Sequence, residues 1–186
     1  GGTGGLGFLG SHLASRFSAG GERVRILPRP QRKAEARDSP HEIVWGDIRD
    51  PEAVDQAVRG SEVVVHLVSN FRKGGSDDKE AHAVNVQGTR NILESCSRHG
   101  VRQLIHCTTI GVHGSVLEIP ANEETPFNPL DLYQETKLKI IVNESIFHPG
   151  HYRISLARRR NALPLDPSVT MHETERGLRS QSAFIM

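Results

Sequence analysis

The sequence predicts an α/β protein in which helices cover both faces of a doubly wound parallel sheet. Strand-like and helix-like segments alternate along most of the 186 residues, an order that produces right-handed βαβ units. The run 63–68 is apolar and rich in β-branched residues apart from His66, as in a strand buried on both faces. A glycine-rich segment also directly precedes the first helical pattern.

Composition excludes several classes of function. Lys and Arg number 23 and Asp and Glu 22, a net charge of +1, which argues against a nucleic-acid partner. The run 63–68 is the longest apolar one and is too short to cross a bilayer, so we expect no membrane partner. Cys96 and Cys107, the only cysteines, form neither a disulfide framework nor a cysteine zinc site, so we expect no metal and a cytoplasmic setting.

The first half of the chain gives clear local signals. Apolar residues recur every four positions from Leu9 to Phe17, on one face of a helix that Gly20 ends. Asp50 is a suitable cap and Pro51 a suitable first residue for another helix, which the glycine at position 60 ends. Between these helices we expect a strand over 23–27, a polar basic loop over 29–40 and a strand over 43–45, and after them the strand over 63–68.

The second half continues the alternation as far as residue 157. Val84, Gly88, Ile92 and Cys96 fall in helical register. The predicted elements are a loop over 71–78, a helix over 79–99, a strand over 104–107, a Gly- and Pro-containing loop over 111–129, a helix over 131–147 and a strand over 152–157. From Arg158 the alternation stops, and we expect 158–186 to be an irregular, poorly ordered tail.

The N-terminal glycines are the first candidate site. G-x-G-x-x-G occurs twice, starting at Gly2 and at Gly5, and Gly4, Gly7 and Gly10 give a wider-spaced variant. Glycines allow a tight turn and close approach to a pyrophosphate, which free N–H groups and the positive end of the following helix then hold. A flexible glycine leader, or a plain helix N-terminus with a glycine linker, is the alternative interpretation.

Tyr133 and Lys137 form a Y-x-x-x-K pattern in the predicted helix over 131–147. Residues four apart lie on one helix face, one turn from each other. An ammonium beside a phenol favours the phenolate, the form that acts as a general base. The pair is therefore a candidate for proton transfer.

Six segments together resemble the extended short-chain dehydrogenase/reductase superfamily, in its NAD-dependent epimerase/dehydratase branch. They are the glycine loop from Thr3 to Gly10, Gly46-Asp-Ile48, Val65-His-Leu-Val-Ser69, Asn85-Val-Gln-Gly-Thr89, Cys107-Thr-Thr-Ile-Gly-Val-His-Gly114 and Tyr133-Gln-Glu-Thr-Lys137. The resemblance implies a Rossmann-like NAD(P)-binding domain over 1–157.

The resemblance also implies how this domain holds its cofactor. The diphosphate lies against Gly4, Gly7 and Gly10 and the backbone of Phe8 and Leu9. The adenine amino group donates to Asp47, beside Ile48, and the nicotinamide ribose side is lined by Leu67 and Val68, with Tyr133 and Lys137 also at the cofactor.

In the family, the choice between NAD and NADP depends on the residue that ends the second strand, which corresponds to the strand predicted here over 23–27. An acidic residue there accepts from the ribose hydroxyls of NAD, and a basic residue accommodates the 2′-phosphate of NADP. No Asp or Glu occurs between residues 23 and 34, whereas Arg29, Arg32 and Lys33 do. NAD or NADP is therefore expected, with NADP favoured through Arg29. A solvated basic loop is the other interpretation.

For catalysis, the resemblance assigns Thr109 as the Ser/Thr that hydrogen-bonds the reacting oxygen, with Thr108 as the neighbouring candidate. Tyr133 takes the proton, and Lys137 holds the ribose and the Tyr. Dehydratases of the family continue with an acid pair where this chain has Ile110 and Gly111. We therefore expect an epimerase or reductase.

Both ends of the chain differ from the family pattern. The family's glycine loop follows a first strand, and its chain continues after the segment equivalent to 154–158 into a substrate domain. We expect this chain to lack that strand and most of the substrate lobe. The favoured function is an NAD(P)-dependent oxidoreductase or epimerase of a small molecule, a nucleotide sugar above all, with a homodimer possible through the Y-x-x-x-K helix. A ketone reductase of a non-sugar substrate and a noncatalytic dinucleotide sensor are the alternatives.

Overall fold

The computed structural model describes residues 4–71, 78–116, 125–147 and 182–185. The helices are α1 Phe8–Ala19, α2 Lys33–Ala36, α3 Pro51–Val58, α4 Asp78–His82, α5 Gly88–Arg98 and α6 Leu132–Phe147. The strands are β1 Arg23–Ile26, β2 Glu42–Ile43, β3 Val63–His66, β4 Gln103–His106 and β5 Ser182–Ile185. Single 3₁₀ turns cover Pro30–Arg32 and Ile110–His113, and a π-helical turn over Ala83–Gln87 joins α4 to α5.

The five strands found in the described residues form one parallel sheet in the order β2-β1-β5-β3-β4. Ile26 is in register with Ile43 and Ile185, and His66 is in register with His106. Because all the pairs are parallel, the carboxyl ends of the strands meet at a single edge, where ligands of such sheets bind. The predicted parallel α/β class is confirmed.

The strand β3 shows why the core has two layers. Its four residues are all buried, and successive side chains point to opposite faces. On one face Val63 and Val65 join a cluster with Ala14 of α1, Val24 and Ile26. On the other face Val64 packs among side chains of α3, α5 and β4, which include Val54, Val58, Ile92, Cys96 and Leu104. Buried apolar residues on both faces are what the uninterrupted valine run predicts.

Most predicted elements occur where expected, and the Asp50 cap is confirmed. Its carboxylate accepts from the N–H of Glu52 at 3.0 Å, and Pro51 is the first residue of α3. The 79–99 helix is present as the continuous helical run from α4 to α5 over 78–98. No helix among the described residues has the length and apolar character needed to cross a membrane.

Two segments between β1 and α3 differ from the prediction. The expected loop over 29–40 contains a 3₁₀ turn and α2, which a proline at the first turn position and an Arg32–Glu35 ion pair of 2.6 Å stabilise. The expected strand over 43–45 is the two-residue β2. Pairing nevertheless continues beyond it, since the N–H of Gly46 donates to the carbonyl of Pro28 at 3.1 Å.

Of the tail predicted to be irregular over 158–186, the structure describes only residues 182–185, and these differ from the prediction. Residues 182–185 form β5, which lies between β1 and β3 at the centre of the sheet. Pairing on both sides stabilises this short apolar segment, although its local sequence carries no strand periodicity. The strand predicted over 152–157 lies outside the described residues.

Gly10 is required by the packing of α1 against the glycine loop. A Cβ at this position would lie 2.1 Å from the carbonyl oxygen of Gly4 and 2.7 Å from the Cα of Gly5. These are backbone atoms, so neither can rotate away. The absence of a side chain at Gly10 thus lets the helix approach the loop that precedes it, as the third glycine of such loops does.

We predict that Gly10→Ala lowers the free energy of unfolding by at least about 2 kcal/mol, because the added methyl overpacks a backbone contact. Urea unfolding measures the change. Ser15→Ala, on the exposed side of the same helix, is the control and should leave stability nearly unchanged. Equal stability of the Gly10→Ala protein and the parent would contradict the observed contact.

Candidate functional site

The glycine loop lies at the carboxyl edge of the sheet. Gly4 has a φ of +112°, a conformation that glycine adopts without strain, and its carbonyl accepts from the N–H of Gly7 at 2.9 Å. The N–H of Ser11 donates to the carbonyl of Gly7, so the N–H groups of residues 8–10 have no acceptor within the helix. The Phe8 side chain is 84% exposed, which leaves this helix end accessible to an anion.

Arg32 fixes the glycine loop to the segment that follows β1. Its guanidinium donates to the carbonyl of Leu6 at 3.3 Å, and Leu6 packs on the same cluster as Ile26 and Val65. The predicted phosphate-reading residue, Arg29, is exposed in the same segment. Sequence reasoning grouped these two arginines, and the structure separates an anchoring Arg32 from a solvent-facing Arg29.

Asp47, the predicted adenine acceptor, follows β2 at this edge. The guanidinium of Arg49 donates to both of its carboxylate oxygens at 2.8 Å. The hydrogen bond from Arg49 is the main reason that the pKa of Asp47 lies below its ordinary value. Partial burial opposes this shift, and the positive charge of Arg29 adds to it. The carboxylate is therefore ionised at neutral pH, and its remaining lone pairs can accept from a further donor.

Three other predicted cofactor residues lie close to the core. The side chain of Ile48 packs in the core, 2.9 Å from where a Cβ on Gly88 would lie, and its carbonyl accepts from Asn91 at 3.0 Å. Any contact between Ile48 and a cofactor would therefore be made by the backbone of Ile48. Leu67 and Val68 follow β3 and are half-buried, packed against opposite faces of the sheet.

Lys137 brings the Y-x-x-x-K helix to the end of β4. Its side chain is 1% exposed, and its ammonium donates to the carbonyl of Cys107 at 3.3 Å. Two residues further on, the hydroxyl of Thr109 accepts from the N–H of Gly111 and caps a 3₁₀ turn. The structure therefore brings α6 and the segment that carries Thr109 together, and α6 contacts this turn.

Tyr133 lies one turn before Lys137 in α6. Its ring is half-buried and meets the ring of Phe71 edge-on at 5.0 Å. Phe71 belongs to the segment after β3, so the ring of Tyr133 lies against that segment. Thr108, the alternative to Thr109, has a buried hydroxyl without a hydrogen-bond partner among the described residues.

Asn85 connects this edge to the helices. It lies in the π-helical turn and is 1% exposed. Its side-chain oxygen accepts from the N–H of Asn70 at 2.7 Å, and its amide group donates to the carbonyl of Asn70 and to the hydroxyl of Thr136 at 3.0 Å. Thr136 lies between Tyr133 and Lys137, so Asn85 holds the catalytic candidates against the segment after β3.

A buried histidine pair lies beneath Lys137. His66 and His106 are register partners on β3 and β4, with ring centroids 4.7 Å apart. The hydroxyl of Thr89 donates to the carbonyl of Asn85, so it accepts from Nε2–H of His66 at 2.9 Å. This assigns the Nε2–H tautomer to His66 and leaves Nδ1 without a partner among the described residues.

The environment keeps both rings neutral. Burial lowers the pKa of His66 well below its ordinary value, with the charges of His106 and Lys137 adding to the effect. Burial and then Lys137 lower the pKa of His106 to about 3. Within the described ranges, no group of three or more His, Cys, Asp or Glu side chains could hold a metal ion.

The anchoring roles in the site were not predicted from the sequence. Arg49 and Thr136 were given no role, and Arg32 was named only as a base near the cofactor phosphate, yet each holds a predicted site residue or its segment. The sequence does contain an indication of the Arg49 contact, because an arginine two residues after an aspartate in a turn can pair with it. The histidine pair required knowledge that β3 and β4 are neighbours in register.

The sequence matches the NAD dependent epimerase/dehydratase family over residues 3–143. The chain belongs to this family. UDP-glucose 4-epimerase of Halalkalibacterium halodurans is 32% identical over 150 residues, which cover 78% of this chain and 44% of that protein. Mouse 3 beta-hydroxysteroid dehydrogenase type 7 is 32% identical over 167 residues, 82% of this chain and 45% of that protein.

The fold matches family structures as well. The crystal structure of UDP-glucose 4-epimerase from Thermus thermophilus in complex with NAD superimposes with a TM-score of 0.68 at 29% identity, covering 77% of this chain and 48% of that one. The Rossmann-like expectation is thus confirmed. The chain spans less than half the length of these two curated relatives.

The observed residues fit a nicotinamide dinucleotide. Gly4 and Gly7 carry no side chain, Gly10 has no space for one, and the helix end behind them is accessible. An ionised carboxylate, Asp47, and an ammonium, Lys137, lie at the ends of β2 and β4 along the same edge. This donor and acceptor set suits a ligand with a diphosphate and two polar ends.

We predict that stability falls as the pH is lowered from 6.5 to 5, because both buried histidines have depressed pKa values in the folded state. The unfolded chain binds protons near pH 6.5 and the folded chain does not, so each histidine contributes a slope of up to about 1.4 kcal/mol per pH unit.

His106→Phe should remove about half of that slope, as measured by urea unfolding at several pH values. His82→Gln, at an exposed position, is the control and should keep the parental slope. If His106→Phe retains the full slope, the pH dependence does not come from this pair.

Proposed function

We propose that this protein is an NAD(P)-dependent oxidoreductase or epimerase that acts at a carbon bearing a hydroxyl or keto group. The observation that carries the proposal is the contact of Lys137 with the carbonyl of Cys107 at 3.3 Å. It brings the Tyr133 helix to the segment of Thr109, at the edge of the sheet that also holds the glycine loop. Family membership supports the same function.

Each of the three polar residues has a separate role in the proposal. The hydroxyl of Thr109 already accepts from a backbone N–H, so its own hydrogen is available to donate to the substrate oxygen. Tyr133 removes the proton from the substrate hydroxyl as the general base, and Lys137, one turn further along the same helix, holds the nicotinamide ribose. A bound nicotinamide dinucleotide supplies hydride transfer.

The burial of Lys137 gives the proposal an electrostatic basis. A charge that is 99% removed from water is costly unless it has partners. Neutral His66 and His106 add no positive charge beside it, and the Cys107 carbonyl accepts one of its hydrogens. The low dielectric around the ammonium strengthens its interaction with that carbonyl.

A nucleotide sugar is the substrate class that we favour, because the relatives include UDP-glucose 4-epimerases. A specific observation also favours a second class. The mouse 3 beta-hydroxysteroid dehydrogenase type 7 covers a similar share of this chain at the same identity, which supports a non-sugar hydroxyl or ketone. Turnover of UDP-glucose against a 3β-hydroxysteroid distinguishes the two.

The exposed Arg29 supports a preference for NADP. It extends the positive charge beside Asp47 and lies in the segment after β1, where a 2′-phosphate is read in such folds. The Thermus thermophilus epimerase was crystallised with NAD, so the preference of this chain is tested directly by substitution.

We predict that Arg29→Asp raises the Kd for NADPH by a factor at least about ten times larger than the factor by which it raises the Kd for NADH. The reason is that one favourable charge pair becomes repulsive. Fluorescence titration with the two reduced cofactors measures both constants. Arg37→Asp, exposed after α2, is the control for the general change in charge. Equal losses for both cofactors at position 29 would reject a phosphate-reading role.

We predict that Tyr133→Phe lowers kcat about a hundredfold or more, since a general acid–base contributes at least that much. NADH binding should be nearly unchanged, because the ring and its contact with Phe71 remain. Tyr152→Phe makes the same chemical change at the second of the two tyrosines and is the control.

Full activity of Tyr133→Phe would contradict the acid–base role. A parent protein that binds NADH but turns over neither a UDP-sugar nor a hydroxysteroid would favour a dinucleotide sensor. A parent protein that does not bind NADH or NADPH would contradict the proposed function as a whole.

A further inference from the structure

Residues 44–50 connect β2 to α3 and carry Asp47, the proposed adenine acceptor. Two backbone hydrogen bonds shape this turn. The N–H of Gly46 donates to the carbonyl of Pro28 at 3.1 Å, and the N–H of Asp50 donates to the carbonyl of Asp47 at 2.9 Å. The first bond ties the turn to the segment after β1, and the second closes the turn on itself. Ile48, at the centre of the turn, is held by a different element.

Asn91 of α5 contacts Ile48 from the side of the helices. It is 6% exposed, and its amide NH₂ group donates to the carbonyl of Ile48 at 3.0 Å. Because a carbonyl only accepts, the amide nitrogen of Asn91, and not its oxygen, must face Ile48. The oxygen accepts in turn from the side chain of Gln87 at 3.2 Å. The orientation of the Asn91 amide is therefore fixed by both of its partners.

Gly88 lies one turn before Asn91 on the same face of α5. A Cβ at position 88 would lie 2.9 Å from Cγ2 and 3.0 Å from Cγ1 of Ile48. The Ile48 side chain is itself buried in the core, where close packing leaves it little space to move aside. Helix α5 thus holds Ile48 twice, by its carbonyl through Asn91 and by its side chain against Gly88.

The pair of Arg49 and Asp47 has a different effect from these contacts. Its two members flank Ile48, and the exposed guanidinium donates to both carboxylate oxygens at 2.8 Å. A pair between residues two apart moves with the turn as one unit. It therefore orients the carboxylate within the turn, whereas the position of the turn on the sheet depends on Ile48.

The same helical run also contacts the other end of the site. Asn85, six residues before Asn91, accepts from the N–H of Asn70 in the segment after β3. β2 and β3 are separated in the sheet by β1 and β5, so the run over 83–98 contacts the segments that follow two distant strands. A rigid element between two binding segments keeps their separation constant, which lowers the ordering cost of binding a long ligand.

We propose that Asn91 is a positioning residue for the adenine base. It acts through the carbonyl of Ile48 and keeps the Asp47 carboxylate at the place where the adenine amino group donates to it. Gly88 permits the close approach of α5 that this contact requires. The proposal deepens the proposed function and rests on it for the ligand, whereas the fixation of the turn by α5 needs no ligand.

Discrimination between two dinucleotides tests this role. NADH carries the adenine amino group, and its deamino analogue, reduced nicotinamide hypoxanthine dinucleotide, has a carbonyl oxygen in its place. The parent should bind NADH at least about tenfold more tightly than the analogue, because a charged acceptor meets a donor in the first and an acceptor in the second. Asn91→Ala should bind NADH more weakly and reduce this ratio to about threefold or less.

Three further variants separate positioning from a general structural effect. Gly88→Ala should reduce the ratio as Asn91→Ala does, since its methyl displaces Ile48. Arg90→Ala, at the exposed position next to Asn91, is the matched control and should keep the parental ratio. In a protein that carries Asp47→Ala, Asn91→Ala should leave the ratio unchanged, because the acceptor through which it acts is already lost. Equal weakening of both dinucleotides by Asn91→Ala would overturn the proposal.

Amide hydrogen exchange tests the fixation of the turn without a ligand. The N–H groups of Gly46 and Asp50 should be protected in the parent, and Asn91→Ala should reduce their protection at least about tenfold while the amides of β3 keep theirs. Unchanged protection of both groups would overturn the proposal.

A variant that fails to fold does not remove the test. If Asn91→Ala unfolds, Gly88→Ala decides by the same two measurements. If both unfold, NMR of the parent decides, since the side-chain amide signals of Asn91 should shift more on addition of NADH than of its deamino analogue. Equal shifts would overturn the positioning role.

The two proposals can fail separately. A parent that binds NADH and its deamino analogue equally contradicts the positioning role and leaves the proposed function standing. A parent that binds neither NADH nor NADPH contradicts the proposed function, and with it adenine as the ligand of this turn. Exchange protection then still shows whether Asn91 fixes the turn.

Discussion

Parallel pairing around the central strand is the constraint on which the site depends. Because all the strands run in one direction, the segments after β1, β2, β3 and β4 emerge at one edge, where the glycine loop also lies. These segments carry Arg29, Asp47, Leu67 and Thr109. Among the described strands, β5 joins β1 to β3 by pairing on both sides, so the edge of the proposed cofactor site depends on residues 182–185.

A buried polar network then places the catalytic candidates on that edge. Asn85 joins the segment after β3 to Thr136 of α6, and Lys137 joins the same helix to the end of β4. Neutral His66 and His106 fill the space below the ammonium. A polar interior of this kind costs stability, and here it fixes the position of a phenol and an ammonium relative to the strand ends. The predicted pH dependence of folding and the geometry of the site therefore have a common origin.

The sequence predicted those parts of the fold that local physics determines. The valine run of β3, the Asp50-Pro51 helix start and the four-residue spacing of Tyr133 and Lys137 carry their structure in neighbouring residues. β5 does not, because a four-residue apolar segment becomes a strand only through pairing with residues more than a hundred positions away. The histidine pair likewise depends on which strands are neighbours.

The candidate site divides in the same way. The motifs nominated Gly10, Asp47, Thr109, Tyr133 and Lys137 as site residues, since each motif is short and local. Their anchors could not be located, because the contacts of Arg32 with Leu6 and of Lys137 with Cys107 arise when separate elements pack. The role of each motif residue in binding or catalysis stays a prediction until ligand is added.

The most direct test of the central claim uses the chain's single tryptophan. Trp45 is 40% exposed and lies two residues before Asp47, beside the proposed adenine end of the cofactor. If the carboxyl edge binds the dinucleotide, titration with NADH will quench Trp45 emission in a saturable manner and produce sensitised emission from the bound cofactor. Trp45 fluorescence that changes only in linear proportion to NADH absorbance would contradict a binding site at this edge.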